Sequence, residues 1–219
     1  NGEQYKGLNP KAMRLLKTGI LRVIVIKAES HPEIKYDIFQ RLNRGAVSLN
    51  EQELRNCMYR GTFCSLLKEL RQYPPYLAAI GLVSPHKRFV DAELALRFLA
   101  LQESFDPVDG KVVGYPNKMK TFLNRFMAKY QDAPACDIAR LSRVFTDTVD
   151  KVVAVIPPPS FRRYRPEDGM FDTRLNRALM DAIMVAFSHC ERDDLERNKD
   201  RILDLYRTLA KDNAAVGDS

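Results

Sequence analysis

Histidine and cysteine, the side chains that most often hold transition metals or act as nucleophiles, are scarce in this chain. Its three histidines, His31, His86 and His189, stand in unrelated contexts, and its four cysteines, Cys57, Cys64, Cys136 and Cys190, form no C-x-x-C pair. That scatter argues against a zinc site, and unclustered thiols fit a reduced, cytosolic setting. Cys57 and Cys64 would share a face on one continuous helix and read as core positions. No apolar run reaches the length of a membrane span, and the longest, Val152 to Pro159, is cut by three prolines. No signal peptide is visible. A P-loop is also missing, because Gly110-Lys111 lacks the upstream glycine and the following Ser or Thr. There is no His–Asn cluster of the HNH nuclease kind, and no paired carboxylates stand with a histidine. General acid–base hydrolysis by this chain is therefore unsupported.

What is present is an ordinary globular composition. With 219 residues, 45% hydrophobic and 29% charged, the chain can bury a sizeable core as one domain or two small ones. The net charge of +7 arises from 35 basic against 28 acidic residues, a modest excess that permits a polyanionic partner without demonstrating one.

The pattern is mainly helical. Asn9-Pro10 reads as an N-cap with proline at the first helical position, and Gly19 stops that short helix. Ile20–Ile26 is the one clear strand, apolar on both faces and so in need of sheet neighbours that the rest of the chain does not offer. Helices are predicted near 33–43, 49–58, 62–72, 86–104, 117–130, 137–155, 173–189 and 193–210. Leu94, Phe98 and Leu101, then Phe122, Phe126 and Tyr130, recur at helical spacing as core positions, and Ile183, Val185, Ala186 and Phe187 thicken a buried helix. Asp106–Gly114 reads as a surface turn, Ile156–Met170 as a long loop, and Asn213–Ser219 as a fraying tail. Tyr73-Pro74-Pro75-Tyr76 and Ser84-Pro85 break the pattern twice, which places a domain boundary between residues 1–72 and 73–219.

The densest local information lies in residues 37–56. Phe39 and Leu42 share a helix face, and Asn43-Arg44-Gly45 ends that helix, with Gly45 suited to the left-handed C′ position. Ser48 with Glu51, or Asn50 with Glu53, can form a capping box that starts the next helix. An amide, a guanidinium and helix-N-terminal N–H groups then lie close together, a corner that suits a phosphate as well as ordinary helix capping.

Phe39, Asn43, Gly45, Leu49, Asn50, Glu53, Leu54, Arg55 and Asn56 resemble the second signature of the GmrSD-type restriction-enzyme N-terminal domain, a relative of the ParB/sulfiredoxin fold. The second glycine of that pattern is Ala46 here. Arg60-Gly61-Thr62-Phe63 with Leu66–Leu70, and Asp91–Phe98, extend the likeness. The family's first signature, Asp-Gly-Gln-Gln-Arg, occurs nowhere in the chain, which opens Asn1-Gly2-Glu3 without an initiator Met. The chain therefore reads as a fragment: the C-terminal part of a ParB-like α/β unit over 1–72, followed by an all-helical unit. The resemblance implies that Asn43, Arg44 and Gly45 sit near a nucleotide triphosphate and its Mg²⁺, GTP or another NTP, in the complete domain. Glu53 and Arg55, two apart on a helix, point in different directions. One could face the nucleotide and the other pin the turn, or both could be structural.

A second candidate is Phe161-Arg162-Arg163-Tyr164-Arg165, where arginines interleave with aromatics. Arg162, Arg163, Tyr164 and Arg165 could contact nucleic-acid phosphates and stack on a base, or an arginine could be pinned to Glu167 or Asp168. A third group, Arg88 with Asp91 and Glu93 with Arg97, has the spacing of ion pairs along one helix. The resemblance implies the nucleotide-binding, regulatory part of a modification-dependent restriction protein of anti-phage defence, inactive alone, with any nuclease on another domain or subunit. The other reading is a non-enzymatic helical module that binds DNA or a partner. A structural remnant with neither activity is the third.

Overall fold

The structure is a computed structural model and describes residues 5–20 and 48–212, together with the single positions 23, 34, 38 and 41. The turn Asn43–Gly45, the tail 213–219, and nearly all of the predicted strand and of the helix at 33–43 lie outside the described residues.

After a 3₁₀ turn at Tyr5–Gly7, helix α1 (Pro10–Thr18) starts as its sequence anticipates, with Asn9 Oδ1 accepting the Ala12 N–H at 2.8 Å. The main body holds α2 (Glu51–Met58), α3 (Thr62–Leu70), α4 (Pro74–Ile80), α5 (Val90–Ser104), α6 (Met119–Tyr130) and α7 (Ala135–Val155). It continues through α8 (Arg177–Ser188), α9 (Arg192–Arg197) and α10 (Lys199–Asp212). Two small antiparallel hairpins interrupt the helices: β1 (Phe105–Asp106) with β2 (Lys111–Val112), and β3 (Arg162–Arg165) with β4 (Met170–Leu175). The fold of the described residues is thus mainly α.

Several elements differ from the sequence reading, among them the helix predicted at 193–210, which breaks at Asn198 into α9 and α10, and the Asp106–Gly114 turn, which carries the β1–β2 pairing. Residues 74–80 form α4, because Pro74 and Pro75 occupy its first two positions, where no intrahelical N–H is needed. Gly81 then ends it in the left-handed conformation at φ 76°. Residues 162–175 form a hairpin and not a loop, turning at Gly169 with φ 68° and carrying an irregularity between Arg162 and Tyr164. This hairpin takes the first residues assigned to the helix at 173–189, so α8 begins at Arg177 behind its N-cap Asn176.

The core is one cluster running from Leu54 on α2 to Tyr206 on α10. Its long central helix, α7, packs against α3, α4, α5, α8, α9 and α10. Tyr76 of α4 meets Phe145 of α7 edge-on at 4.9 Å, and Phe98 of α5 lies 6.0 Å from the same ring. Each such buried aromatic or leucine is worth about 1.5–3 kcal/mol relative to exposure. Residues on both sides of the 72/73 boundary, such as Leu67 and Leu70 on one and Tyr76 and Ile80 on the other, belong to this cluster. Cys64 is buried on α3 while Cys57 is exposed on α2, since the two helices break the shared face at Tyr59–Gly61.

Gly61 explains how α3 reaches the body. A Cβ built there would lie 2.1 Å from the Gln131 carbonyl oxygen, so the backbone itself packs on the turn between α6 and α7. Thr62 Oγ1 donates to Ala133 O at 2.9 Å across the same contact.

Candidate functional site

The described part of the signature begins at Ser48 and folds into the capped start of α2. Asn50 Oδ1 accepts the Glu53 N–H at 2.9 Å, and Glu53 Oε2 accepts the Asn50 N–H at 2.7 Å. Of the two spacings, the Asn50–Glu53 pair therefore makes the capping box.

Arg88, from the loop before α5, grips the same turn. Its Nη2 donates to Ser48 O at 2.7 Å and to Glu53 Oε2 at 2.8 Å, while Nε reaches Glu53 Oε1 at 3.2 Å. Asn50 Nδ2 returns a bond to Arg88 O at 2.7 Å. Hydrogen bonding from Arg88, with help from the Asn50 N–H, holds the Glu53 carboxyl below its usual range. Ser48, Asn50 and Glu53 are thus pinned to the loop that leads into α5. Glu53 serves that clamp, and its carboxylate is committed to it.

Arg55 points elsewhere, as a two-residue offset on a helix requires. Its side chain is 2% exposed, and its Nη2 lies 3.3 Å from Glu93 Oε2 on α5. Glu93 Oε1 in turn lies 3.6 Å from Nη1 of Arg177, the first residue of α8. Arg55 Nε and Nη1 are buried with no hydrogen-bond partner, as are Gln52 Oε1 and Asn56 Nδ2 on the same helix, although Gln52 Nε2 bonds Asn56 Oδ1 at 3.1 Å.

The charges on α5 and on the loop before it do not pair with one another. Arg88 goes to Glu53, and the fully buried Asp91 takes Arg71 Nε at 3.1 Å and the His86 N–H at 2.8 Å. Glu93 takes Arg55 and Arg177, and Arg97 pairs with Asp181 of α8. The helical spacing is real, but neighbouring elements supply better partners from buried positions, where an unpaired charge would be costly. Burial pushes the Asp181 carboxyl up, and its bond to Arg97 offsets only part of that.

The basic stretch is also reassigned. Arg162 is buried: its Nη1 donates to Thr173 O, and its Nη2 to Ile80 O at 3.2 Å. It ties the β3–β4 hairpin to the end of α4, and its guanidinium is not a surface cation. Arg165 pairs with Asp168 at 2.9 Å and lies 3.6 Å from Asp172, which is the pinned alternative for that residue. Tyr164 meets Phe171 edge-on at 5.3 Å. Arg163 is half-buried, and its Nε meets no hydrogen-bond partner.

The structure therefore brings Glu53, Arg55, Arg88, Glu93 and Arg177 to one corner, and sets the 162–165 residues in a separate hairpin. The role of Arg177 left no local signal, since its partner stands 84 positions earlier. Among the described residues, no group of three or more His, Cys, Asp or Glu side chains is placed to hold a metal, and no helix is long and apolar enough to cross a membrane. Compared with known protein families, with curated proteins and with solved structures, the chain matches none.

Proposed function

We propose that the chain is the nucleotide-binding, regulatory part of a restriction protein of GmrSD type, in which Asn43–Gly45 receives the phosphates of GTP or another NTP. The observation that carries this reading is the Arg88 clamp on Ser48, Asn50 and Glu53. It fixes the segment directly after that turn against α5, and α5 joins the corner to α8 through Glu93. A nucleotide bound at the turn would thereby be coupled to the helical body.

In this reading Glu53 and Arg55 support the site and do not touch the ligand. The carboxylates of the clamp, Glu53 and Glu93, are held by guanidinium groups. Mg²⁺ would accordingly enter on the nucleotide's own phosphates. Cleavage of modified foreign DNA would belong to a nuclease on another domain or subunit. The test is isothermal titration of GTP, CTP and ATP with Mg²⁺ into the chain and into a longer version carrying the Asp-Gly-Gln-Gln-Arg signature upstream. The expected result is binding by the longer version that is abolished by Asn43→Ala. No binding by either version would sink the reading.

A further inference from the structure

Three rings stand in series where the β3–β4 hairpin meets α10. Tyr164 contacts Phe171 edge-on, and Phe171 lies nearly parallel to Tyr206, 5.8 Å between centroids with 22° between planes. The middle ring, Phe171, is 43% exposed, while Tyr206 beneath it is buried. Phe171 lines a cleft of about 330 Å³, near the low end of ligand-pocket sizes, together with Pro157–Pro159.

The polar side of the cleft carries one exposed cation, Arg207. Arg207 and Arg162 line it together with Asp172. Asp172 lies against Arg165, and the guanidinium of Arg162 is turned to backbone carbonyls. Among the described residues, Arg207 is half-exposed and pairs with Asp204, itself 76% exposed, at 3.1 Å. Such an exposed pair contributes little and yields readily to a better anion. Arg174 on β4 and Arg201 on α10 are exposed on the same two elements.

We propose that this cleft binds single-stranded nucleic acid, seating one unstacked base between the prolines and Phe171, with a flanking phosphate on Arg207. A flat ring at the surface stacks on any base, so the site would be tolerant of sequence, and a duplex offers no free base face to it. A base with a phosphate could also come from a free nucleotide, and the test separates the two sources. The inference is independent of the nucleotide reading of the N-terminal corner, and Asn43→Ala is expected to leave strand binding unchanged.

The experiment is fluorescence anisotropy of a labelled twelve-residue oligothymidylate across a salt series, with the matching duplex and thymidine monophosphate as competitors. Wild type is expected to prefer the strand to the duplex. Phe171→Leu should weaken strand binding roughly tenfold, as loss of one stacked base implies, and Phe171→Tyr should restore it. Arg207→Ala should lower the log–log salt slope by about 0.7, the value for one phosphate on a single strand. Arg192→Ala on α9 removes an equally exposed charge elsewhere and should leave that slope unchanged. The proposal is overturned if Phe171→Leu and Arg207→Ala, both verified as folded by circular dichroism, bind like wild type, or if duplex binds as well as strand. It is equally overturned if thymidine monophosphate displaces the strand at equal nucleotide concentration, which would assign the cleft to a free nucleotide.

Discussion

Arg55 on α2 and Glu93 on α5 meet at 3.3 Å in a position where the guanidinium is 2% exposed and the carboxylate 17%. Glu93 also faces Arg177, so one carboxylate serves two cations from two other helices. Removing it strands a buried charge, which typically costs about 3–5 kcal/mol. Glu93→Ala is therefore expected to lower the urea midpoint sharply, whereas Arg55→Met, which removes the buried charge itself, should be close to neutral. Urea unfolding of both variants checks this, and equal losses would contradict it.

The acid limb of stability should depend on the same corner. Glu53 titrates below its usual value because Arg88 and the Asn50 N–H bond its ionised form. Its contribution is accordingly present above the unfolded-state value near 4.5 and lost as pH falls through the lower folded value. Burial pushes Glu103 up, but the bonds from Arg140 and Tyr130 win, so it acts in the same direction. Stability measured from pH 6 to pH 3 should fall, and Arg88→Ala should flatten part of that fall. An unchanged profile in the variant would show that the clamp does not form in solution.

How much of this was legible beforehand depended on sequence distance. The start of α2 was readable because a capping box is a four-residue pattern, and α5, α6 and α7 were readable from apolar periodicity. Helix α4 was not, because Pro74-Pro75 marks a break and a helix start with the same residues. The hairpin was hidden because Arg162-Arg163-Tyr164-Arg165 shows no apolar alternation: the inward residue is itself an arginine, satisfied by Thr173 O and Ile80 O. Partner choice was the least legible feature. Arg88, Asp91, Glu93 and Arg97 have intrahelical spacing, yet their partners lie 20 to 84 residues away.

Tyr206 anchors α10 through its hydroxyl, which accepts the Arg162 N–H at 3.0 Å and faces Ser160 O and Arg162 O. Tyr206→Phe keeps the ring and leaves a buried N–H without its acceptor, at a cost of about 1–3 kcal/mol. Tyr206→Ala should cost more by also opening a cavity beside Phe171. Thermal unfolding of the two variants checks the order, and a harmless Tyr206→Phe would contradict it.

Gly61 offers a steric test. With 2.1 Å between an added Cβ and Gln131 O, Gly61→Ala must displace the start of α3 from the α6–α7 turn. Overpacking of this kind costs about 1–3 kcal/mol. Gly110→Ala meets no neighbouring atom within 4 Å, so it reports the left-handed backbone strain at φ 64° alone, without a clash. Chemical denaturation should rank Gly61→Ala as the more damaging, and the reverse order would contradict the close packing.

The central claim is that the signature after Asn43–Gly45 holds the nucleotide turn in place through Arg88 without touching the nucleotide. The most direct measurement is the affinity of Mg²⁺–GTP for the longer, signature-bearing protein and for its Arg88→Ala and Asn43→Ala variants. The account predicts abolished binding for Asn43→Ala and a loss of roughly tenfold for Arg88→Ala, the size of a modest coupling between a support and a site. Unchanged affinity in a folded Arg88→Ala variant would contradict it.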